Sequence, residues 1–141
     1  MESQGKKKLL IVEDDTDILN LLFETFSNNT FICTGVAKGQ TAIEIFDKQN
    51  FDLVIMDFEL PDMNGYELYR MIRKTEKIIP IIFNSSHSNH VMLKEFPLNF
   101  ADVNLKFVKK SASSTRLTRT VRKFLSIEST SFGEGKTNNN E

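Results

Sequence analysis

The chain has 141 residues, enough for one domain with a proper core and too few for two. Hydrophobic residues make up 40% and charged residues 26%, with 18 basic against 19 acidic side chains, so no bulk charge points to nucleic acid or a membrane surface. A lone cysteine, Cys33, excludes an internal disulfide and fits a reducing compartment.

The opening KKKLLIV carries a short apolar run that passes straight into Glu13-Asp14-Asp15, too short for the core of a signal peptide. No other segment is long and apolar enough for a bilayer, so a soluble, cytoplasmic chain without membrane insertion is expected. Residues 1–7 are polar and expected to be a flexible lead, 8–126 a single domain, and 127–141 a polar tail too poor in apolar residues to order itself.

LLIV (9–12) is a continuous apolar run, the pattern of a strand buried on both faces. Ile18, Leu21, Leu22 and Phe26 then recur at helical spacing, with Thr16 or Asp17 as the expected N-cap. FICTGVA (31–37) reads as a second strand, and TAIEIFDKQ (41–49) as an amphipathic helix with Ala42, Ile45, Phe46 and Gln49 on one side. LVIM (53–56) is a third strand, and Leu68, Met71 and Ile72 mark a helix over 65–74. Pro80 opens a fourth strand. The stretch 87–99 allows a short helix that Pro97 must end. VNLKFV (103–108) reads as a fifth strand, followed by a helix capped by Ser113 or Ser114 and marked by Leu117, Val121, Phe124 and Leu125. Such alternation predicts right-handed βαβ units and a parallel sheet covered on both faces, with ligands at the carboxyl ends of the strands.

The chemistry-bearing residues fall at those ends. Strand one ends in Glu13-Asp14-Asp15, strand three in Asp57, strand four in Asn84-Ser85-Ser86 and strand five in Lys109-Lys110. Carboxylates crowded together repel one another, so the arrangement makes sense with a cation among them. Oxygen ligands without His or Cys point to a hard divalent ion, with Mg²⁺ the default because it accepts few protein ligands besides water and phosphate oxygens. A lysine and a serine aimed at the same spot add donors for a phosphoryl group. Together these are the parts for phosphoryl transfer to an aspartate.

LLIVEDD, DLVIMDFELPDMNGYEL, PIIFNSS and FVKKSAS, in that order from about Lys7 to Leu125, resemble the receiver domain of two-component response regulators. The resemblance implies an α/β, flavodoxin-like (βα)5 fold, a doubly wound parallel sheet of strand order 2-1-3-4-5. It implies Asp57 as phosphoacceptor, Asp14 as a direct Mg²⁺ ligand, Glu13 acting through water, and Glu59 offering its backbone carbonyl. Ser85 matches the switch hydroxyl, Lys110 the lysine that pairs with the phosphoryl group, and Phe107 the aromatic that changes rotamer. Lys109 is the alternative to Lys110; Lys110 is preferred because Phe107-Val108 then align with the family's aromatic-aliphatic pair. The chain departs from the pattern at Ser111, where proline is usual, and at Ser86, where Ala or Gly is common. It departs again between Ser85 and Lys110, which is a few residues longer than usual and includes Pro97, and at Asn99-Phe100, which stand in place of a glycine.

The implied partners are a sensor histidine kinase or histidine phosphotransfer protein as donor and a downstream protein that docks on the face of helix four, strand five and helix five. A stand-alone receiver, or one receiver from a longer chain, is the expectation. Blander readings sit beside these: an acidic helix start for Glu13–Asp15, a helix cap for Ser85, a solvated lysine for Lys110 and a packed aromatic for Phe107. His87 and His90 lack the companions a zinc site needs, and Arg116, Arg119, Arg122 and Lys123 read as a solvated face. The competing functions are a Mg²⁺-dependent phosphatase with an aspartyl nucleophile, which lacks a cap insertion here, and a pseudo-receiver with an intact pocket.

Overall fold

A computed structural model describes residues 5–27, 31–86, 101–110 and 114–126. Period-two alternation inside the strands decides which side of the sheet each apolar residue serves. Leu10 and Val12 of β1 (Lys7–Val12) join Val54 and Met56 of β3 (Leu53–Met56) and Ile81 and Phe83 of β4 (Ile81–Ser85) in one core cluster. Leu9, Ile11, Leu53, Ile55 and Ile82 point the other way into a second. The first cluster is roofed by α2 (Gly39–Lys48) and α3 (Gly65–Thr75), the second by α1 (Thr16–Phe26) and the last described helix (Ser114–Phe124).

With β2 (Phe31–Val36) and β5 (Leu105–Lys109) the sheet has five strands in the order β2-β1-β3-β4-β5, every pair parallel. This is the flavodoxin-like order expected. The direction of travel reverses between β1 and β3, so the ends of those two strands open on a crevice. No helix among the described residues is long and apolar enough to cross a membrane.

Several boundaries differ from the sequence reading, each for a local reason. Asp15, not Thr16 or Asp17, is the N-cap of α1, because it alone has extended backbone and a carboxylate that accepts from the Asp17 and Ile18 N–H groups at 2.9 and 3.2 Å. β1 starts at Lys7, where pairing with Phe31 carries the ladder beyond the apolar run. α2 begins at Gly39, two positions before Thr41. On α3, Tyr69 joins Leu68 and Ile72 in the core, while Met71 is 37% exposed. β5 begins at Leu105 rather than Val103, since Val103 is 77% exposed in a turn held by Asp102. The expected helix within 87–99, with Pro97, His87 and His90, the cap at Ser113 and the tail 127–141 all lie outside the described residues.

The turn before β5 is fastened by a carboxylate network. Asp102 accepts from the Arg73 Nε at 2.8 Å, the Tyr69 hydroxyl at 2.6 Å and the Asn104 N–H at 3.0 Å, and the Arg73 guanidinium also donates to the Asn104 carbonyl at 3.2 Å. α3 is thereby tied to the start of β5. Burial alone would push the Asp102 carboxyl up, but donors from Arg73, Tyr69 and Asn104 outweigh it and hold it below the ordinary value. Burial and that same carboxylate push the Tyr69 phenol up to about 12.

A carboxyl whose folded pKa is depressed stabilises the fold above its unfolded value, 3.8, and loses that contribution as pH falls through the folded value. Asp102→Asn is expected to lower stability at neutral pH by roughly 2 kcal/mol, because charge-assisted bonds to Arg73 are lost. Denaturant melts between pH 3 and pH 7 should show the wild-type advantage shrinking toward the acid end; a pH-independent difference would contradict the assignment.

Candidate functional site

Backbone pairing sets the acids at the carboxyl edge of the sheet. The Glu13 N–H donates to the Val36 carbonyl at 2.9 Å and the Asp57 N–H to the Val12 carbonyl at 2.9 Å, so each acid sits one residue past its strand. Glu13 and Asp57 are buried, at 2% and 8% exposure, and Asp14 is exposed. One carboxylate oxygen from each of Glu13, Asp14 and Asp57 lies within 4.8 Å of the others.

From the neighbouring strand pair comes a cation. The Lys110 N–H donates to the Ser85 carbonyl at 2.9 Å, continuing the β4–β5 ladder past Lys109. The Lys110 ammonium then lies 3.0 Å from Glu13 Oε1 and 3.1 Å from Asp57 Oδ2. Lys109, one position earlier on a pleated strand, is exposed. Asn84 is buried and donates from Nδ2 to the Val108 carbonyl at 3.0 Å, a further fastening of β4 to β5. Ser85 is buried at 2% exposure, and Ser86 is exposed.

The electrostatics follow from burial. Removal from water pushes the Glu13 carboxyl up; the Lys110 ammonium and the Asp15 N–H pull the other way, and nearby Asp57 adds to the rise. For Lys110 burial acts downward, and the hydrogen bonds to Glu13 and Asp57 outweigh it, raising its pKa. At an effective dielectric near 20 an ammonium–carboxylate contact is worth roughly 4 kcal/mol, against several kcal/mol of desolvation per ion. One lysine therefore about offsets the burial of its partners and leaves the three-carboxylate set with an excess of negative charge. The donor set is oxygen only, with neither His nor Cys, which fits a hard divalent cation such as Mg²⁺.

The loop after β3 is held tightly. The Glu59 N–H makes a long 3.5 Å contact to Asp57 Oδ1, and Glu59 pairs with Asn64 in an isolated bridge. Asn64 and Glu67 form a reciprocal capping box at the start of α3. Gly65 is required by close approach: a Cβ there would lie 2.9 Å from the Phe58 Cα and 3.0 Å from the Asp57 carbonyl oxygen. Phe107 is half-buried and stacks on Phe83 with ring centroids 5.5 Å apart, and Phe83 meets Phe58 edge-on at 5.5 Å. An aromatic chain thus runs from the residue after Asp57 to β5.

Phe83 and Asp62 stand outside the residues that the sequence singles out. Phe83 carries only its alternation within β4 as a signal, while Asp62 contacts residues more than twenty positions away and carries none.

A doubly wound parallel sheet with an acidic cluster and a lysine at its carboxyl edge is a flavodoxin-like architecture with a candidate cation site. Residues 9–122 match the family model described as the response regulator receiver domain, and the chain belongs to that family. Its members bind Mg²⁺ at such an acidic pocket and serve two-component systems. The chain is 30% identical over 89 residues to the sporulation initiation phosphotransferase F of Bacillus subtilis, covering 63% of this chain and 72% of that protein. It is 34% identical over 84 residues to the two-component response regulator ARR10 of Arabidopsis thaliana, covering 58% of this chain but only 15% of that protein. Among solved structures, the response regulator protein TrrA of Thermotoga maritima in complex with Mg²⁺-BeF superposes with a TM-score of 0.74 at 30% identity, over 84% of this chain and 98% of that one.

Lys110→Met should leave Glu13 and Asp57 buried without their cation and cost roughly 2 to 3 kcal/mol at pH 7. Glu13 then rises further in pKa, so part of the loss should return as pH falls toward 5. Chemical denaturation of the variant at both pH values checks this; equal losses at both would contradict it.

Proposed function

We propose that this chain accepts a phosphoryl group on Asp57 and uses it to switch a protein-docking face. What supports the reading most directly is one contact set: the Lys110 ammonium 3.1 Å from Asp57 Oδ2 and 3.0 Å from Glu13 Oε1, beside Asp14, at the carboxyl edge of the sheet. Asp14 and Asp57, with Glu13 through water and the Glu59 backbone carbonyl, are the groups that would hold Mg²⁺. Bound there, the cation supplies positive charge to the oxygens of a phosphoryl group in transfer.

The donor is the phosphohistidine of a sensor histidine kinase or of a histidine phosphotransfer protein. An Asp57 carboxylate oxygen attacks phosphorus, a P–O bond forms and the P–N bond breaks. The imidazole leaves with the electron pair and takes up a proton. The product carries about −1.5 to −2 charges where the carboxylate carried one, so the site gains at most about one negative charge, now spread over phosphoryl oxygens. Lys110 follows the new oxygens and gives up part of its contact with Glu13. The Ser85 hydroxyl turns toward the same oxygens, and Phe107 moves on its stack with Phe83 into the space behind Ser85. The readout is the face of β5 and the final helix, where a downstream protein docks.

The direct test is treatment with acetyl phosphate, with and without Mg²⁺, read by intact mass. The wild type should gain one phosphoryl group only with Mg²⁺, and Asp57→Asn none. Labelling of Asp57→Asn, or labelling indifferent to Mg²⁺, would end the reading. Sustained turnover of small phosphate esters would favour a phosphatase instead.

Glu59 is exposed beside Asp57, where its side chain can orient or block the attacking water. Glu59→Ala should change the dephosphorylation rate severalfold while leaving Mg²⁺ affinity nearly intact. Decay of the phosphorylated protein and a Mg²⁺ titration measure the two separately.

A further inference from the structure

Asp62 lies in the middle of the loop that leads from Asp57 to α3, and its carboxylate is bound by a different element. Oδ1 accepts from the Gly39 N–H at 2.9 Å and Oδ2 from the Gln40 N–H at 2.9 Å. These are the first two N–H groups of α2, whose own N-cap residue, Lys38, makes no side-chain capping bond. The next residue of the loop, Met63, covers the same spot: a Cβ on Gly39 would lie 2.5 Å from the Met63 Cγ and Sδ. α2 therefore takes its cap from the loop, and the loop takes its anchor from α2.

The rest of the loop makes the anchor consequential. One end is fixed by the Asp57 N–H to the Val12 carbonyl, the other by the Gly65 N–H to the Phe58 carbonyl and by the Asn64–Glu67 capping box. Between them the Leu60 N–H donates to the Met63 carbonyl at 3.2 Å. Phe58 and Glu59 are fastened to Gly65 and Asn64 and Leu60 to Met63, and Asp62 ties the same loop to α2. The Gln40 and Gly39 N–H groups donate to the ionised carboxylate and hold its pKa below the ordinary value, so the tether stays intact through neutral pH.

We propose, resting on the reading of Asp57 as phosphoacceptor, that Asp62 is a positioning residue for phosphoryl transfer: tied to the amino end of α2, it holds the Glu59 carbonyl and the Asp57 carboxylate in register for cation and phosphorus. The alternative is that Asp62 serves only as a remote helix cap. The two separate cleanly, because Lys38 has the extended backbone of a capping residue, with φ −131 and ψ 150. Lys38→Asp in an Asp62→Ala background gives α2 its own cap without restoring the tether.

Three proteins are compared well below their melting midpoints: wild type, Asp62→Ala and the double variant. Phosphorylation rate by acetyl phosphate, Mg²⁺ midpoint from amide NMR shifts, and Tm are measured for each. Asp62→Ala should lower Tm, weaken Mg²⁺ binding and slow phosphorylation on the order of tenfold. The double variant should recover Tm but neither the rate nor the Mg²⁺ midpoint. Recovery of all three, or an Asp62→Ala protein phosphorylated at the wild-type rate, overturns the proposal. A wild type that never gains phosphate overturns the phosphoacceptor reading itself, an outcome distinct from a labelled wild type with unaffected variants.

Discussion

A single ammonium set between two buried carboxylates is the interaction around which this structure is arranged. Glu13 and Asp57 end adjacent strands and are removed from water by the same packing that makes the sheet, so their charges must be balanced locally. Lys110 does this from the far side of the sheet, two strands away from Asp57, at 3.0 and 3.1 Å. The balance is partial. With Asp14 beside them the acids outnumber the lysine, and the surplus negative charge suits a hard cation. A fully neutralised cluster would be more stable and would have no such capacity.

The surrounding elements keep that arrangement from relaxing. β4 and β5 are locked at their ends by the Lys110 and Asn84 hydrogen bonds, which fix where the lysine emerges. Lower down, the Arg73–Asp102–Tyr69 network fixes where β5 begins. Across the crevice, the loop after Asp57 is pinned by Gly65 against the backbone and by Asp62 against α2. Between these two halves Phe58 meets Phe83 edge-on and Phe83 stacks on Phe107, so ring contacts run from the loop after Asp57 to β5.

Much of the site was legible because each of its residues follows an apolar strand. A carboxylate after LLIV and another after LVIM mark the same edge in any parallel sheet of alternating strands and helices, and the oxygen-only set names the kind of ion. The choice between Lys109 and Lys110 is different in kind. Adjacent residues on a strand point to opposite faces, so only the register of β5 against β4 brings Lys110 to Asp57 and sends Lys109 outward. The N-cap of α1 is settled in a similar way: Asp15, Thr16 and Asp17 all have capping side chains, and backbone conformation alone selects Asp15.

By itself the sequence determined the alternation of strands and helices, the apolar runs that form a two-sided core, and the order of acids, hydroxyls and lysines at the strand ends, since these depend on residues near one another in the chain. The tertiary structure set the β5 register that brings Lys110, the preferred lysine, to the acids, and it alone decided that Asp62 caps a helix far from it in sequence and that Asp102 gathers Tyr69 and Arg73. Each of those contacts joins distant segments whose approach is set by sheet register and helix packing. A hydrogen bond between such segments leaves no periodic trace in the residues that make it.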